Sequence, residues 1–155
     1  MTFRITGLPA DTFRPLFGLS DDELAHRGAR RYVAHAKPGY PDRVELRDAE
    51  PGESLILVNH EHLPEDTPYR ASHAVFVLEN ASERFDRVGE IPPAMRVRLL
   101  SLRAFDREHM MVDADVVHGT EVEPVIERLL AEPRTAYVHA HYAKAGCYAA
   151  RIERA

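Results

Sequence analysis

The chain has 155 residues, a formal net charge of −5 at pH 7, and a hydrophobic fraction of 45%. At this length we expect a single domain, residues 1–155, with a core large enough to fold without disulfides. The acidic balance argues against nucleic acid as a partner, because phosphate binding normally requires a basic face. No apolar segment approaches the roughly 20 residues of a transmembrane helix, so a membrane role is not expected either.

The chain contains one cysteine, Cys147, and only two lysines, Lys37 and Lys144. A single cysteine cannot form an internal disulfide, as secreted domains of this size often do. Residues 1–10 contain neither a basic region nor a long apolar run, so a secretory signal is not expected. We therefore expect a cytoplasmic protein.

The first part of the chain predicts short strands and one well-marked helix. Ser20 and Glu23 form a capping box, in which each side chain bonds the backbone amide of the other residue, and Gly28 is placed to end that helix. Alternating or β-branched runs predict the other elements. These are strands at residues 3–8, 31–36, 43–46 and 54–60, and a short helix near residues 10–17.

The second part begins with a long polar loop, expected at residues 61–72. Thr120 and Glu123 form a second capping box, which predicts the start of a last helix with one apolar stripe. Strands are expected at residues 74–78, 99–105 and 110–117. This inventory indicates an α+β fold, with a largely antiparallel β-sheet of about seven strands and two or three helices packed on one face.

A hairpin is predicted at residues 136–152, where strand formers flank Lys144, Ala145 and Gly146. A three-residue loop that ends in glycine is a favoured hairpin turn, and it would pair Ala143 with Cys147. Side chains that are opposed in this register project from one face. That face would carry His139, His141, Cys147 and Arg151, and the other would carry Val138, Ala140, Tyr142, Tyr148, Ala150 and Ile152. A loop of two or four residues would move Cys147 away from the histidines.

The hairpin supplies the candidate catalytic residues Cys147, His139 and His141. A histidine base with Lys144 nearby would activate the thiol as a nucleophile, although a free cysteine is also commonly a small buried hydrophobe. The two histidines, two apart on a strand, would alternatively aim at one metal ion. Its further ligands would come from His60, His62, Asp113 and Asp115. Hydrogen-bonded rings on a sheet surface are the ordinary alternative, so we assign no metal ligand and no cofactor from the sequence.

A second polar group lies in the segment 61–73, where the guanidinium of Arg70 fits a carboxylate or phosphate. Loops of this kind commonly carry binding residues. We therefore expect the protein to bind a small polar or anionic molecule between this loop and the hairpin. The expected ligand-binding residues are Tyr69, Arg70, Ser72, His73 and Lys144. The competing hypotheses are an enzyme that uses Cys147 with a histidine base or a histidine-ligated metal, and an interaction module that associates through a sheet edge.

Three segments carry a resemblance to a known family: residues 67–72 (TPYRAS), 110–117 (MMVDADVV) and 139–147 (HAHYAKAGC). Together they resemble a bacterial family catalogued as domain of unknown function 1203, and the similarity extends over the whole chain. The resemblance implies a small standalone bacterial protein. It implies no activity, ligand or catalytic residue, so the functional expectations depend on the residues alone.

Overall fold

A computed structural model of the chain describes residues 2–155. Within this range, nine strands and three α-helices follow one another, together with single 3-10 turns at Ala10–Thr12, Arg14–Leu16 and Gly119–Glu121. In chain order they are β1 (Phe3–Thr6), α1 (Asp21–His26), β2 (Arg30–Val33), β3 (Ser54–Leu63), β4 (Ala71–Leu78), β5 (Asp86–Val88), α2 (Pro93–Arg96), β6 (Leu99–Phe105), β7 (Met111–His118), α3 (Val122–Ala131), β8 (Tyr137–Tyr142) and β9 (Tyr148–Arg154).

The strands form two sheets, one of six strands in the order β5–β1–β9–β8–β6–β7 and one of three in the order β2–β3–β4. Every pairing between these strands is antiparallel. The α+β class and the antiparallel arrangement predicted from the sequence are confirmed. Because the strands divide between two sheets, their contact creates an interface that the sequence did not indicate.

Helix α3 covers one face of the six-stranded sheet. Its apolar stripe recurs at helical spacing, and Val122, Ile126, Leu129 and Leu130 are buried in the main core with residues of β6, β8 and β9. At ten residues it is the longest helix, and none of the helices in residues 2–155 is long and apolar enough to cross a membrane.

The two predicted capping boxes have different outcomes. The box of Ser20 and Glu23 is present, with both reciprocal bonds, at the start of α1. The box of Thr120 and Glu123 is wrong, because a 3-10 turn precedes α3 and the Glu123 carboxylate instead accepts two hydrogen bonds from Arg96. A bidentate pair with a guanidinium is stronger than one bond to a backbone amide.

Residues 43–46 do not form the expected strand. The carboxylate of Asp42 is buried and accepts hydrogen bonds from the amides of Val44, Glu45 and Leu78. Leu46 has φ +55°, in the left-handed region. A side chain therefore replaces a neighbouring strand as hydrogen-bond partner, and this segment becomes a compact loop against the three-stranded sheet.

The long polar loop predicted at residues 61–72 is also wrong. Strand β3 continues to Leu63 and β4 begins at Ala71, so the loop between them is limited to residues 64–70. The pairing shifts between Glu61 and Leu63, which makes His62 the extra residue of a β-bulge. His62 and His73 therefore lie on paired strands rather than on a mobile loop.

The C-terminal hairpin has a four-residue loop. The amide of Tyr142 donates to the carbonyl of Cys147 over 2.9 Å, so Tyr142 and Cys147 close the turn and Gly146 occupies its left-handed position with φ +85°. The predicted pairing of Ala143 with Cys147 is wrong, and the cysteine lies on the face opposite to the histidines. After Tyr148, which pairs with His141, the strand contains a bulge, and beyond it Arg151 pairs with His139 as predicted.

Candidate functional site

Four imidazole rings come together where the two sheets meet, and we call His62, His73, His139 and His141 the histidine cluster. The first two lie on β3 and β4 and the last two on β8. Ring centroids are 4.8 Å apart for His62 and His73, 5.1 Å for His62 and His141, and 5.6 Å for His62 and His139. The ring of Tyr148 stacks on His62 at 4.8 Å and closes the cluster on that side.

Two rings of the cluster are buried, the other two are half-buried, and the hydrogen bonds of the cluster are incomplete. His139 is 3% exposed and His141 is 1% exposed. His62 Nε2 lies 2.8 Å from His73 Nδ1, and His141 Nδ1 lies 3.0 Å from the carbonyl oxygen of Gly146. Within residues 2–155, the buried Nδ1 atoms of His62 and His139 have no hydrogen-bond partner. Each such atom costs about 1–3 kcal/mol of stability.

Burial keeps these imidazoles neutral near pH 7. Desolvation is the largest cause in every case, and it lowers the pKa of His62 to about 3, of His139 to about 2 and of His141 to about 4. Burial also lowers the pKa of His73. A neutral imidazole has one nitrogen with a free lone pair, which is the form that binds a metal ion.

One ring nitrogen from each of His62, His139 and His141 lies within 4.8 Å of the others, so these three residues could hold a metal ion. The other ligands considered from the sequence lie elsewhere. Asp113 and Asp115 both bind Arg128 at the surface, and the ring of His60 packs against Phe13.

A cleft of about 1050 Å³ adjoins the hairpin. The cleft adjoins the histidine cluster, because His73 lines the cleft and also contacts His62. The remaining lining residues come from the loop between β2 and β3, the two sheets, the segment between α2 and β6, and the hairpin turn. They are Gly39, Pro41, Arg43, Leu57, Ala74, Phe76, Val97, Arg98, Leu99, Tyr142, Ala143, Lys144, Ala145 and Cys147.

Arg43 is the most deeply buried charged residue of this cleft, with 1% of its surface exposed. Its Nε donates to the carbonyl of Tyr148 over 2.7 Å, Nη1 donates to the carbonyl of Pro41, and Nη2 lies 2.9 Å from Cys147 Sγ. No ion pair within residues 2–155 includes Arg43. Its charge is therefore buried without a carboxylate.

Tyr142 lies between two guanidinium groups. The Cζ atoms of Arg43 and Arg98 are 4.9 Å and 5.1 Å from its ring centroid. Its hydroxyl is buried and has no hydrogen-bond partner among residues 2–155. Burial raises the pKa of Tyr142 to about 12, so the hydroxyl remains protonated and can donate.

The predicted catalytic residues are only partly brought together. His139 and His141 share a face of β8 with Arg151 across the hairpin, as expected. Cys147 is half-buried and packs against the main core, and its side-chain partner is Arg43 rather than a histidine. Tyr148 lies beside the histidines, where the sequence predicted the thiol of Cys147. The predicted register, which placed the thiol and the imidazoles on one face, is therefore wrong.

The predicted ligand-binding residues divide into two groups. His73 and Lys144 line the cleft. The others do not reach it: Arg70 pairs with Glu61 at the surface, Ser72 is exposed on β4, and the ring of Tyr69 meets Phe105 edge-on at 5.8 Å. They are absent from the cleft lining because residues 61–63 and 71–72 form paired strands and not a loop that folds over the hairpin.

Sequence reasoning missed Arg43, Arg98 and Tyr142. Arg43 sat in a segment predicted to be a strand, and no local signal marked it as buried. Tyr142 was assigned correctly to the apolar face of the hairpin, where a phenol hydroxyl requires a partner when buried. The need of a buried phenol hydroxyl for a hydrogen-bond partner was the one signal in the sequence that pointed to Tyr142.

No curated protein and no solved structure matches the chain. Residues 39–154 match the model of a family described as a protein of unknown function, DUF1203. The matched segment includes the whole histidine cluster and every residue that lines the cleft. The family resemblance noted in the sequence is confirmed over residues 39–154, and residues 1–38, to which it was also expected to extend, lie outside the match. The chain belongs to the DUF1203 family.

Proposed function

We propose that this protein binds a small organic anion in the cleft beside the C-terminal hairpin. The observation that carries the proposal is the buried guanidinium of Arg43, which has no carboxylate partner within residues 2–155 and lies beside the unpaired hydroxyl of Tyr142. A ligand that brings a carboxylate or similar group to this point supplies the missing charge and the missing acceptor.

The guanidinium of Arg43 is buried without a counter-ion within residues 2–155, which is costly. Burying an ion without a counter-ion is strongly unfavourable, and hydrogen bonds to neutral carbonyls offset only part of that cost. A guanidinium has five N–H donors, and the contacts of Arg43 to Tyr148, Pro41 and Cys147 use three of them. Two donors remain for a bound anion.

The rest of the cleft favours a ligand with an apolar body. Leu57, Phe76, Val97 and Leu99 contribute to its walls, and the last two side chains are 54% and 46% exposed. Three basic side chains, Arg43, Arg98 and Lys144, line the cleft. Within residues 2–155, only Arg98 among them is paired with an acid, Asp48, over 2.6 Å. This combination suits a hydrocarbon or aromatic molecule with one anionic group.

The ligand class is the one expected from the sequence. The expected site lay between the loop at residues 61–73 and the C-terminal hairpin, whereas the proposed site is the cleft between residues 39–43 and the same hairpin. We also propose a cytoplasmic setting in a bacterium, which the single unpaired cysteine and the family resemblance support.

Calorimetry and thermal shift with matched probes test the proposal. Octanoate and 3-phenylpropionate carry a carboxylate on an aliphatic and an aromatic body, and octanol is the uncharged control. We expect both carboxylates to bind and to raise the melting temperature, and octanol to bind at least about 10-fold more weakly, which corresponds to one charge-assisted hydrogen bond. Equal binding of octanoate and octanol, or no binding of either carboxylate, contradicts the proposal.

Variants locate the bound anion. Tyr142→Phe removes only the unpaired hydroxyl and should weaken octanoate binding about 3- to 10-fold without loss of stability. Lys144→Ala should weaken it by a smaller factor that shrinks at high salt. The matched control is Lys37→Ala, which removes the other lysine from an exposed pair with Glu50 and should leave binding unchanged. Equal effects of the two lysine variants would place the anion outside the cleft.

A further inference from the structure

Two buried ring nitrogens of the histidine cluster, Nδ1 of His62 and Nδ1 of His139, have no hydrogen-bond partner within residues 2–155. Three imidazoles, from His62, His139 and His141, direct one nitrogen each into a space within which these atoms are at most 4.8 Å apart. No basic or hydroxyl group within residues 2–155 donates to the buried Nδ1 atoms of His62 and His139. We infer that these three histidines form a binding site for a divalent transition-metal ion.

The second nitrogen of His141 is engaged in the way that metal ligands require, and the contact between His62 and His73 allows the same arrangement for His62. His141 Nδ1 donates to the carbonyl of Gly146, which places the lone pair of that ring on Nε2. If His62 Nε2 donates to His73 Nδ1, the lone pair of His62 is on Nδ1, the atom that is buried without a partner. A hydrogen bond from the distal nitrogen fixes the tautomer and orientation of a ligating histidine.

The backbone that carries these residues is rigid. His139 and His141 lie on β8, which is paired on both sides by β6 and β9, and both side chains are almost fully buried. His62 is held in a bulge of β3 and stacks against Tyr148. In a tetrahedral zinc site, ligand nitrogens are about 3.4 Å apart, since zinc to nitrogen distances are about 2.0–2.1 Å. The separations between the three nitrogens, at most 4.8 Å, must shrink by up to about 1.4 Å to reach that spacing, which requires the rings to rotate.

The donor set indicates the class of ion. Three neutral imidazoles suit zinc and the neighbouring divalent ions of the first transition series better than calcium or magnesium, which require oxygen ligands. Three protein ligands leave a position for water or another small ligand, as in catalytic rather than structural zinc sites. His73 supports His62 from behind and lines the cleft, so the ion would lie next to the proposed anion site.

This inference goes beyond the proposed function and does not rest on it, because none of the three proposed metal ligands lines the cleft. It is tested by titrating protein without a polyhistidine tag, after removal of metals with a chelator, with Co²⁺ as the probe. We expect one Co²⁺ per chain, with visible d–d absorption bands of a four- or five-coordinate ion, and displacement by one equivalent of Zn²⁺. Absence of saturable binding, or a stoichiometry well above one, overturns the inference.

Variants identify the ligands. His139→Gln, His141→Gln and His62→Gln should each weaken Co²⁺ binding at least about 100-fold, while His73→Gln should weaken it about 10-fold, as expected for a residue that orients a ligand. The matched control is His60→Gln, which lies two residues from His62 on the same strand and packs against Phe13. If the control weakens binding as much as the ligand variants do, the ion binds elsewhere.

Two further measurements keep the outcomes distinct. Each variant should melt cooperatively in the presence of chelator, which shows that it is folded. Among the ligand variants, His62→Gln is the one that we expect to fold even if the others do not, because His62 is only half-buried. Tyr142→Phe should bind Co²⁺ like the unmodified protein, whatever its effect on octanoate. A result in which it weakens both probes equally contradicts the assignment of two separate sites.

Discussion

The two faces of β8 differ in how well their buried groups are satisfied. On the face toward α3, Val138 and Ala140 are completely buried among aliphatic side chains of the main core. On the opposite face, His139 and His141 are equally buried, but one of them has a ring nitrogen without a partner. Strand alternation alone explains why neighbouring residues meet such different surroundings.

The two faces of β8 therefore contribute differently to the stability of the protein. The aliphatic face stabilises the fold through apolar area removed from water. The histidine face lowers stability through incompletely bonded polar groups, so its residues are better explained by a bound ion than by packing. Measurements of stability with and without metal test this difference between the two faces.

The largest effect is expected on the aliphatic face. Leu102 on β6 is fully buried and lies opposite Ala140 in the sheet. Leu102→Ala should lower the free energy of unfolding by about 2–5 kcal/mol, because it removes apolar contacts and leaves a cavity. Urea denaturation measures this loss, which should be the same with chelator or with zinc. A loss below 1 kcal/mol would mean that this face is not the main source of stability.

A smaller effect is expected where a buried polar group is fully bonded. Glu79 accepts hydrogen bonds from Arg31, Ser54 and the amide of Gly18, and its side chain is 11% exposed. The hydrogen bond from Arg31 is the main reason why the pKa of Glu79 falls to about 2. Glu79→Gln should therefore lower the free energy of unfolding by about 1–3 kcal/mol at pH 7.

The pH dependence of that loss has a definite sign. The pKa of Glu79 is lower in the folded chain than its ordinary value of 4.5, so the unfolded chain binds the proton more readily. The stabilisation is complete above about pH 4.5 and is lost as the pH falls toward 2. Denaturation of the two proteins across this range should show their difference shrinking, and a difference that stays constant would remove the carboxylate as its cause.

The smallest effect on the metal-free protein is expected at His139. In chelator, His139→Leu should leave the free energy of unfolding nearly unchanged: it removes an Nδ1 atom that has no partner within residues 2–155, a gain of about 1–3 kcal/mol, and this gain offsets the lost contacts with Tyr137 and Tyr148. His141→Leu removes the hydrogen bond to Gly146 and should cost about 1–2 kcal/mol more. Excess zinc should stabilise the unmodified protein and neither variant. Stabilisation of His139→Leu by zinc would show that this imidazole is not a ligand.

Local signals in the sequence predicted the elements that depend on neighbouring residues. The capping box of Ser20 and the apolar stripe of α3 are properties of a single turn or helix, and both are present. The box of Thr120 failed because Arg96, distant in sequence, binds Glu123. The strand at residues 43–46 failed because the buried carboxylate of Asp42 reorganises the backbone, and no pattern of period two reports such a bond.

The candidate site was predicted only in part, because local strand patterns place some of its residues and tertiary contacts place the others. The shared face of His139 and His141 follows from alternation, whereas His139 pairs with Arg151 as predicted only because the bulge in β9 offsets the longer turn. The approach of His62 and His73 depends on how two sheets meet, which no local pattern specifies. Arg43 reaches Tyr148 and Cys147 from about one hundred residues away, so its burial could not be derived without the tertiary structure.

The bulge in β9 compensates for the length of the preceding turn. The turn has one residue more than the three predicted, and the bulge adds one unpaired residue before Ala150, so the two offsets cancel and Arg151 returns to the side facing His139. Deleting a single residue from the turn would therefore exchange the sides occupied by the sulfur and the phenol ring of Tyr148. An insertion or deletion in this hairpin preserves both sites only when a second length change compensates for it. The number of residues in the hairpin therefore matters to both sites as much as its side chains do.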